Sequence, residues 1–164
     1  MQSNKLTILI MDDSEIIQER LKEILCKIDG VECVGKVTNS GEGLDLVSSC
    51  KPGLVVLDIR LADRVGMDII KKIKHFSPHT IVVVLTNYTF SAYRIHCMSL
   101  GADYFMDKSL EFSKVRDIAE YMLTPEYRKG PGRRYDYSDS KDMVDSGKRY
   151  KPGVRTRRMV HKDL

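Results

Sequence analysis

The sequence predicts an α/β domain in which five parallel strands alternate with five helices. Residues 53–59, Gly-Leu-Val-Val-Leu-Asp-Ile, are a short apolar run that begins after Pro52. Such a run between turn signals indicates a strand buried on both faces, as in a parallel sheet. Other apolar runs recur along the chain, and segments with helical periodicity separate them. This alternation favours a three-layer, doubly wound sheet with helices on both faces and right-handed crossovers.

Five segments are expected to be strands, at residues 6–11, 31–37, 53–59, 80–85 and 102–107. The second segment is less apolar than the others, which predicts a position at an edge of the sheet. The fourth, Thr-Ile-Val-Val-Val-Leu, is rich in β-branched residues, as strands commonly are.

The first helix is expected to begin at Ser14, whose hydroxyl is a preferred cap, and to end at Asp29-Gly30. One apolar face of this helix has helical spacing and comprises Ile17, Leu21, Ile24 and Ile28.

The second helix is expected to begin at Asn39, where Glu42 completes the pattern of a capping box, and to end at Lys51-Pro52. A third, ending at Ser77-Pro78, should bury one side formed by Ile69, Ile73 and Phe76. Two further helices are expected at residues 90–100 and 112–122, and Thr124-Pro125 should stop the last one.

Composition excludes several classes of protein. The chain has 164 residues, of which 42% are hydrophobic and 30% are charged. It has no apolar run near the roughly 20 residues of a membrane helix, and its first residues are unlike a secretory signal. We therefore expect a cytoplasmic protein that does not insert into membranes. The four cysteines lack metal-site spacing, so free buried thiols are favoured over a zinc site or disulfides.

Charge divides the chain into two parts. Residues 125–164 contain twelve Lys/Arg and six Asp/Glu, whereas residues 1–124 contain 15 and 17. The first part is expected to be the folded domain. The second is a basic tail containing Gly and Pro, and it should be disordered or dock on a partner.

Polar residues follow four of the predicted strands: Asp12 and Asp13, Asp58, Thr86, and Lys108. The carboxyl ends of parallel strands share one edge of the sheet, where ligands of such folds bind. Each residue alone is more simply explained as a helix cap, a turn residue or a solvated lysine, so the combination carries the prediction. Clustered carboxylates without His or Cys favour Mg²⁺ over zinc.

These segments resemble the receiver domain of two-component response regulators. The matching pieces are residues 8–14, 55–58 with Gly66 eight residues on, 83–86 and 101–108, and the likeness extends over residues 5–124. It implies a flavodoxin-like sheet with strand order 2-1-3-4-5. It says nothing about the basic tail.

The resemblance implies that Asp58 is the phosphoacceptor, which takes a phosphoryl group from a phosphohistidine. Asp13 would bind Mg²⁺ directly and Asp12 chiefly through water, with Asp58 and the backbone carbonyl of Arg60 as further ligands. The ammonium of Lys108 would neutralise charge on the transferring group.

The same resemblance implies a switch. Thr86 would move to bond a phosphoryl oxygen, and Phe105 would turn inward into the vacated space. The simpler explanation is that Phe105 and Tyr104 are ordinary strand aromatics, one inward and one outward.

The sequence departs from the family pattern near the site. Ser109 replaces the usual Pro after Lys108, so the bond between them is either trans or strained. Ala62 replaces a Pro, and Asn87 stands where Ala or Gly is usual. We expect Arg60 and Tyr88 to slow hydrolysis of the acyl phosphate by shielding it from water.

Three functions compete. The first is a response regulator without enzymatic activity beyond its own phosphorylation and dephosphorylation. Its partners would be a histidine kinase or phosphotransfer protein and a downstream protein, with a possible homodimer through the last helices. The second is a nucleic-acid or acidic-surface binder acting through the basic tail, which interleaved acidic residues disfavour. The third is an aspartyl-phosphate hydrolase, which typically needs an Asp at the position of Arg60.

Overall fold

The structure is a computed structural model, and it describes residues 5–61, 64–65 and 67–130. Its strands are β1 (Leu6–Met11), β2 (Val31–Val37), β3 (Leu54–Leu57), β4 (Arg60–Leu61), β5 (Arg64–Val65), β6 (Ile81–Thr86) and β7 (Tyr104–Asp107). Its helices are α1 (Glu15–Leu25), α2 (Ser40–Cys50), α3 (Asp68–Phe76), α4 (Ser91–Ser99), α5 (Lys114–Met122) and α6 (Pro125–Lys129).

The main sheet has five parallel strands in the order β2-β1-β3-β6-β7. The predicted α/β fold, the implied strand order and the edge position of β2 are confirmed. β4 and β5 pair with each other as a separate antiparallel hairpin, so β6 and β7 are the fourth and fifth strands of the main sheet. The central strand, β3, is buried along its whole length.

Two hydrophobic clusters cover the two faces of the sheet. On β3, Leu54 and Val56 belong to the cluster that α1 and α5 complete, whereas Val55 and Leu57 belong to the cluster under α2, α3 and α4. Alternate residues of a strand point to opposite faces, so a strand buried on both faces must be apolar at every position. Full burial of each such side chain contributes about 1.5–3 kcal/mol. This requirement explains the apolar run that predicted the strand.

α2 begins as predicted. The backbone N–H of Glu42 donates to the Asn39 side chain at 2.9 Å, and the Asn39 amide donates to the Glu42 carboxylate at 3.4 Å. Gly43 then allows α2 to approach β1 closely, because a Cβ atom at this position would collide with the side chain of Met11. The helix is thereby packed against the strand that leads to Asp12.

Other elements differ from the prediction. α1 ends at Leu25, four residues before Asp29, and Gly30 has a φ of 88° in the turn that leads to β2. Ile69 and Ile73 are buried as expected, but Phe76 is 44% exposed. Ile70 is fully buried instead. The apolar face by which α3 packs on the sheet therefore ends before Phe76, the last residue of the helix.

Helix α6 was not expected from the sequence. Thr124 and Pro125 follow α5 as expected, but Thr124 also caps a new helix by accepting the N–H of Tyr127 at 3.3 Å. The ring of Tyr127 lies 5.5 Å from that of Tyr121, and it packs against the first cluster. The remainder of the expected basic tail, residues 131–164, lies outside the described residues, and the division of the chain at residue 124 stays a prediction. Among the described helices, none has the length and apolar character needed to span a bilayer.

All four cysteines are free thiols, as predicted. The expectation that they are buried is wrong for Cys26 and Cys50, which are exposed because they lie at the ends of surface helices. Burial, together with the neighbouring Cys26, raises the pKa of Cys33 to about 12, and burial raises the pKa of Cys97 to about 11.

We expect iodoacetamide at neutral pH to modify Cys26 and Cys50 in the native protein and to spare Cys33 and Cys97, because the thiolate is the reactive form. Mass spectrometry of tryptic peptides measures the rates, and unfolding in denaturant should make all four thiols reactive. Modification of native Cys97 as fast as Cys50 would contradict the observed burial.

Candidate acidic site at the carboxyl edge of the sheet

Register places two of the predicted carboxylates side by side. Met11, the last residue of β1, pairs with Leu57, the last residue of β3, and the N–H of Asp58 donates to the Met11 carbonyl at 2.8 Å. Asp12 and Asp58 therefore follow aligned strand ends. Carboxylate oxygens of Asp12, Asp13 and Asp58 all lie within 4.8 Å of one another.

Lys108 enters the same site from β7. Thr86 pairs with Asp107, and the N–H of Lys108 donates to the Thr86 carbonyl at 2.9 Å. The ammonium of Lys108 then donates to Asp12 Oδ2 and to Asp58 Oδ2, each at 2.6 Å. All three side chains are buried, so these charge-assisted hydrogen bonds are shielded from water.

The other oxygen of each buried carboxylate accepts a backbone N–H. Ser14 donates to Asp12 Oδ1 at 2.9 Å, and Arg60 donates to Asp58 Oδ1 at 3.1 Å. In both cases the turn that follows the strand supplies the N–H that holds the carboxylate. The site is therefore held by local backbone structure as well as by Lys108.

Gln18 supports the site, although nothing in the sequence had marked it as a site residue. Its side-chain amide donates to the carbonyl of Asp12 at 2.7 Å and to that of Val37 at 2.9 Å. These bonds join α1 to the ends of β1 and β2. The available signal was weak, because Gln18 is one of three polar residues between Ile17 and Leu21.

Burial and charge act against each other at this site. Burial raises the pKa of Asp12, although the Lys108 ammonium and the Ser14 N–H favour the ionised carboxylate. Burial alone would disfavour the Lys108 ammonium, but its hydrogen bonds to Asp12 and Asp58 outweigh this effect and raise the pKa of Lys108. The lysine therefore remains protonated between the two carboxylates.

The three carboxylates suit a hard divalent cation. One ammonium opposes three carboxylates, which leaves a net charge of −2 to be balanced. Asp13 is exposed and offers a carboxylate on the solvent side of the site. Oxygen ligands without His or Cys are typical of Mg²⁺ or Ca²⁺ sites.

Thr86 lies at the end of β6 and is fully buried. Its hydroxyl accepts the N–H of Tyr88 at 3.2 Å. Phe105 already points inward, with 5% of its surface exposed, and the guanidinium carbon of Arg94 lies 4.9 Å from the centre of its ring. Tyr104 is also buried, on the opposite face, so both aromatics pack in the core.

Of the residues that depart from the family pattern, Arg60, Asn87 and Ser109 lie just after the ends of β3, β6 and β7, and Ala62 lies outside the described residues. The guanidinium carbon of Arg60 lies 4.9 Å from the centre of the Tyr88 ring, and Arg60 Nη1 donates to the Tyr88 hydroxyl. The hydroxyl of Ser109 donates to the Asn87 side chain at 3.1 Å, which joins the loops after β6 and β7. The described peptide bonds, including Lys108–Ser109, are all trans.

Comparisons with known proteins agree with this geometry. The model of the response regulator receiver domain matches residues 8–120. The chemotaxis protein CheY of Thermotoga maritima is 32% identical over 108 residues, which are 66% of this chain and 89% of that protein. An uncharacterised transcriptional regulatory protein of Bacillus subtilis, YhcZ, is 30% identical over 71% of this chain, which spans 57% of that relative.

Solved structures show the same fold. A CheY-like response regulator receiver domain from Methanospirillum hungatei has a TM-score of 0.68 and 25% identity, over 77% of this chain and 99% of that one. The receiver domain of CheB from Thermotoga maritima has a TM-score of 0.62 and 25% identity, over 80% and 99% of the two chains. The described chain thus belongs to the receiver domain family of two-component response regulators.

Proposed function

We propose that the protein is a phosphorylation-dependent response regulator in which Asp58 accepts a phosphoryl group from a histidine kinase or phosphotransfer protein. The observation that carries the proposal is the environment of Asp58. It directly follows the central strand, β3, and lies beside two further carboxylates, with the Lys108 ammonium 2.6 Å from its Oδ2 atom. An Asp oxygen would attack phosphorus, a P–O bond would form, and the P–N bond of the phosphohistidine would break. The imidazole would leave with the electron pair and take a proton from solvent.

Protein groups would act on this reaction by position and charge. The N–H of Arg60 and the ammonium of Lys108 hold the two Asp58 oxygens, which orients the nucleophile. Asp12, Asp13, Asp58 and the Arg60 backbone carbonyl would hold Mg²⁺, which, when bound, neutralises charge on the phosphoryl oxygens. Lys108 would add a second positive charge at the same edge of the sheet.

Phosphorylation would raise the negative charge at Asp58 from one to about two. The Thr86 hydroxyl accepts from Tyr88, and its hydrogen would be donated to a phosphoryl oxygen if the side chain moved towards Asp58. Thr86 lies on the same face of β6 as Val84, which pairs with the already buried Phe105, so movement of Thr86 would disturb the packing of Phe105. The change is a shift between two populated states, whose extent depends on how differently the phosphoryl group binds each.

The output would be contact with another protein, and the chain would catalyse only its own phosphorylation and dephosphorylation. Some relatives are enzymes, such as a protein-glutamate methylesterase of Hahella chejuensis, of which this chain spans 28%. The cognate partners, the cytoplasmic location and a homodimer through the last helices stay predictions.

We expect acetyl phosphate with Mg²⁺ to add the mass of one phosphoryl group to the protein, and Asp58→Asn to abolish the addition, because an amide cannot form the acyl phosphate. Intact-protein mass spectrometry measures the product, and Asp45→Asn, an exposed carboxylate on α2, is the matched control. Undiminished labelling of the Asp58→Asn protein would refute the assignment.

We expect Mg²⁺ to stabilise the protein through Asp13. At ten times its dissociation constant a bound ion contributes about 1.4 kcal/mol to the free energy of unfolding. Thermal or urea unfolding with and without Mg²⁺ measures this gain, which Asp13→Asn should remove and Asp45→Asn should retain. An equal gain in both variants would place the ion elsewhere.

We expect Arg60→Ala and Tyr88→Ala each to shorten the half-life of the acyl phosphate by about fivefold, or about 1 kcal/mol in the barrier to hydrolysis, because each removes a long side chain that keeps water from the phosphoryl group. Hydrolysis is followed by phosphate release after removal of the phosphodonor. Arg20→Ala is the control, since Arg20 lies over Phe112 at the same 4.9 Å. Unchanged half-lives in the two test variants would end the shielding hypothesis.

A further inference from the structure

Arg60 lies beside Asp58 but has no carboxylate partner among the described ion pairs. Its backbone N–H holds Asp58 Oδ1, so the side chain starts next to the proposed phosphoacceptor. The side chain is exposed, and its guanidinium is held by an aromatic ring and a phenol hydroxyl, both from Tyr88. Neither partner is charged.

The charges around Asp58 explain what the guanidinium is suited to do. Three carboxylates and one ammonium carry a net charge of −2, which one divalent cation balances. Phosphorylation would add about one negative charge. Lys108 already donates to Asp12 and Asp58, and Arg60 is a further cation whose backbone N–H is bound to Asp58.

We propose that Arg60 is a phosphoryl-binding residue that Tyr88 stores in the unphosphorylated protein. This proposal rests on phosphorylation of Asp58. When the acyl phosphate forms, the guanidinium leaves the Tyr88 ring and donates to phosphoryl oxygens. Two charge-assisted hydrogen bonds to an anion are stronger than an exposed contact with a neutral ring and hydroxyl.

The contact between Arg60 and Tyr88 is also connected to the proposed movement of Thr86. The N–H of Tyr88 donates to the Thr86 hydroxyl at 3.2 Å, and the Tyr88 side chain contacts Arg60. Movement of Thr86 towards the phosphoryl group removes the acceptor of the Tyr88 N–H or carries Tyr88 with it. Either displacement loosens Tyr88 from the guanidinium, so release of Arg60 and movement of Thr86 favour each other.

Removal of Arg60 and removal of Tyr88 should have different effects on ligand binding if Tyr88 competes for the guanidinium. They should have the same effect if the two side chains form a fixed lid over the site. The probe is beryllofluoride with Mg²⁺, titrated into isotope-labelled protein and followed by NMR of backbone amides and arginine Nε–H groups. Arg60→Met, which keeps the length of the side chain and removes its charge, should weaken beryllofluoride binding about tenfold, or about 1.4 kcal/mol. Tyr88→Leu should leave binding unchanged or strengthen it, because the guanidinium no longer has a competing partner.

Arg20→Met is the matched control, since it removes a cation–π contact of the same length on α1. In the wild-type protein the Nε–H resonance of Arg60 should shift on saturation, and that of Arg20 should not. The proposal is overturned if the Arg60 resonance stays in place while the Asp58 and Thr86 amides shift. It is also overturned if Tyr88→Leu weakens binding as much as Arg60→Met. Absence of any response at Asp58 and Thr86 in the wild type would overturn the proposed function as well.

Discussion

The ammonium of Lys108 makes a buried group of carboxylates tolerable at the edge of this sheet. Asp12 and Asp58 are 2% and 7% exposed, and a buried charge without a partner destabilises a fold by about 3–5 kcal/mol. Lys108 donates to both carboxylates, so one side chain fastens the ends of β1, β3 and β7 to one another. The arrangement leaves a negative charge that a divalent cation can balance, so the contact that stabilises the fold also prepares the site.

This arrangement depends on the register of the parallel strands. A slip of one residue between β1 and β3 would turn Asp12 or Asp58 to the other face of the sheet and move every apolar side chain of the slipped strand into the opposite cluster. The two hydrophobic clusters fix the register from either side, because alternate residues of β3 belong to different clusters. Packing of the core therefore fixes the strand register, and the register places Asp12 and Asp58 close enough for both to bind Lys108.

The loops after the strands contain the features that distinguish this chain. Arg60 begins β4, just after the end of β3, and contacts Tyr88 in the loop after β6. Ser109 and Asn87 link the loops after β7 and β6 in the same region. The scaffold keeps Asp12, Asp58 and Lys108 in place, so these loops can differ in sequence without moving the carboxylates or the ammonium.

The sequence by itself determined the fold class, the order of elements and the collection of Asp12, Asp58 and Lys108 at one edge, because apolar runs and strand ends are local features. Only the tertiary structure decided that Lys108 binds both carboxylates, that Gln18 joins α1 to two strand ends, and that Arg60 lies on Tyr88. The bounds of α1, the exposure of Phe76 and the helix α6 also depended on tertiary packing. These features require residues far apart in the chain to meet, and local periodicity does not specify which partners a side chain finds across the fold.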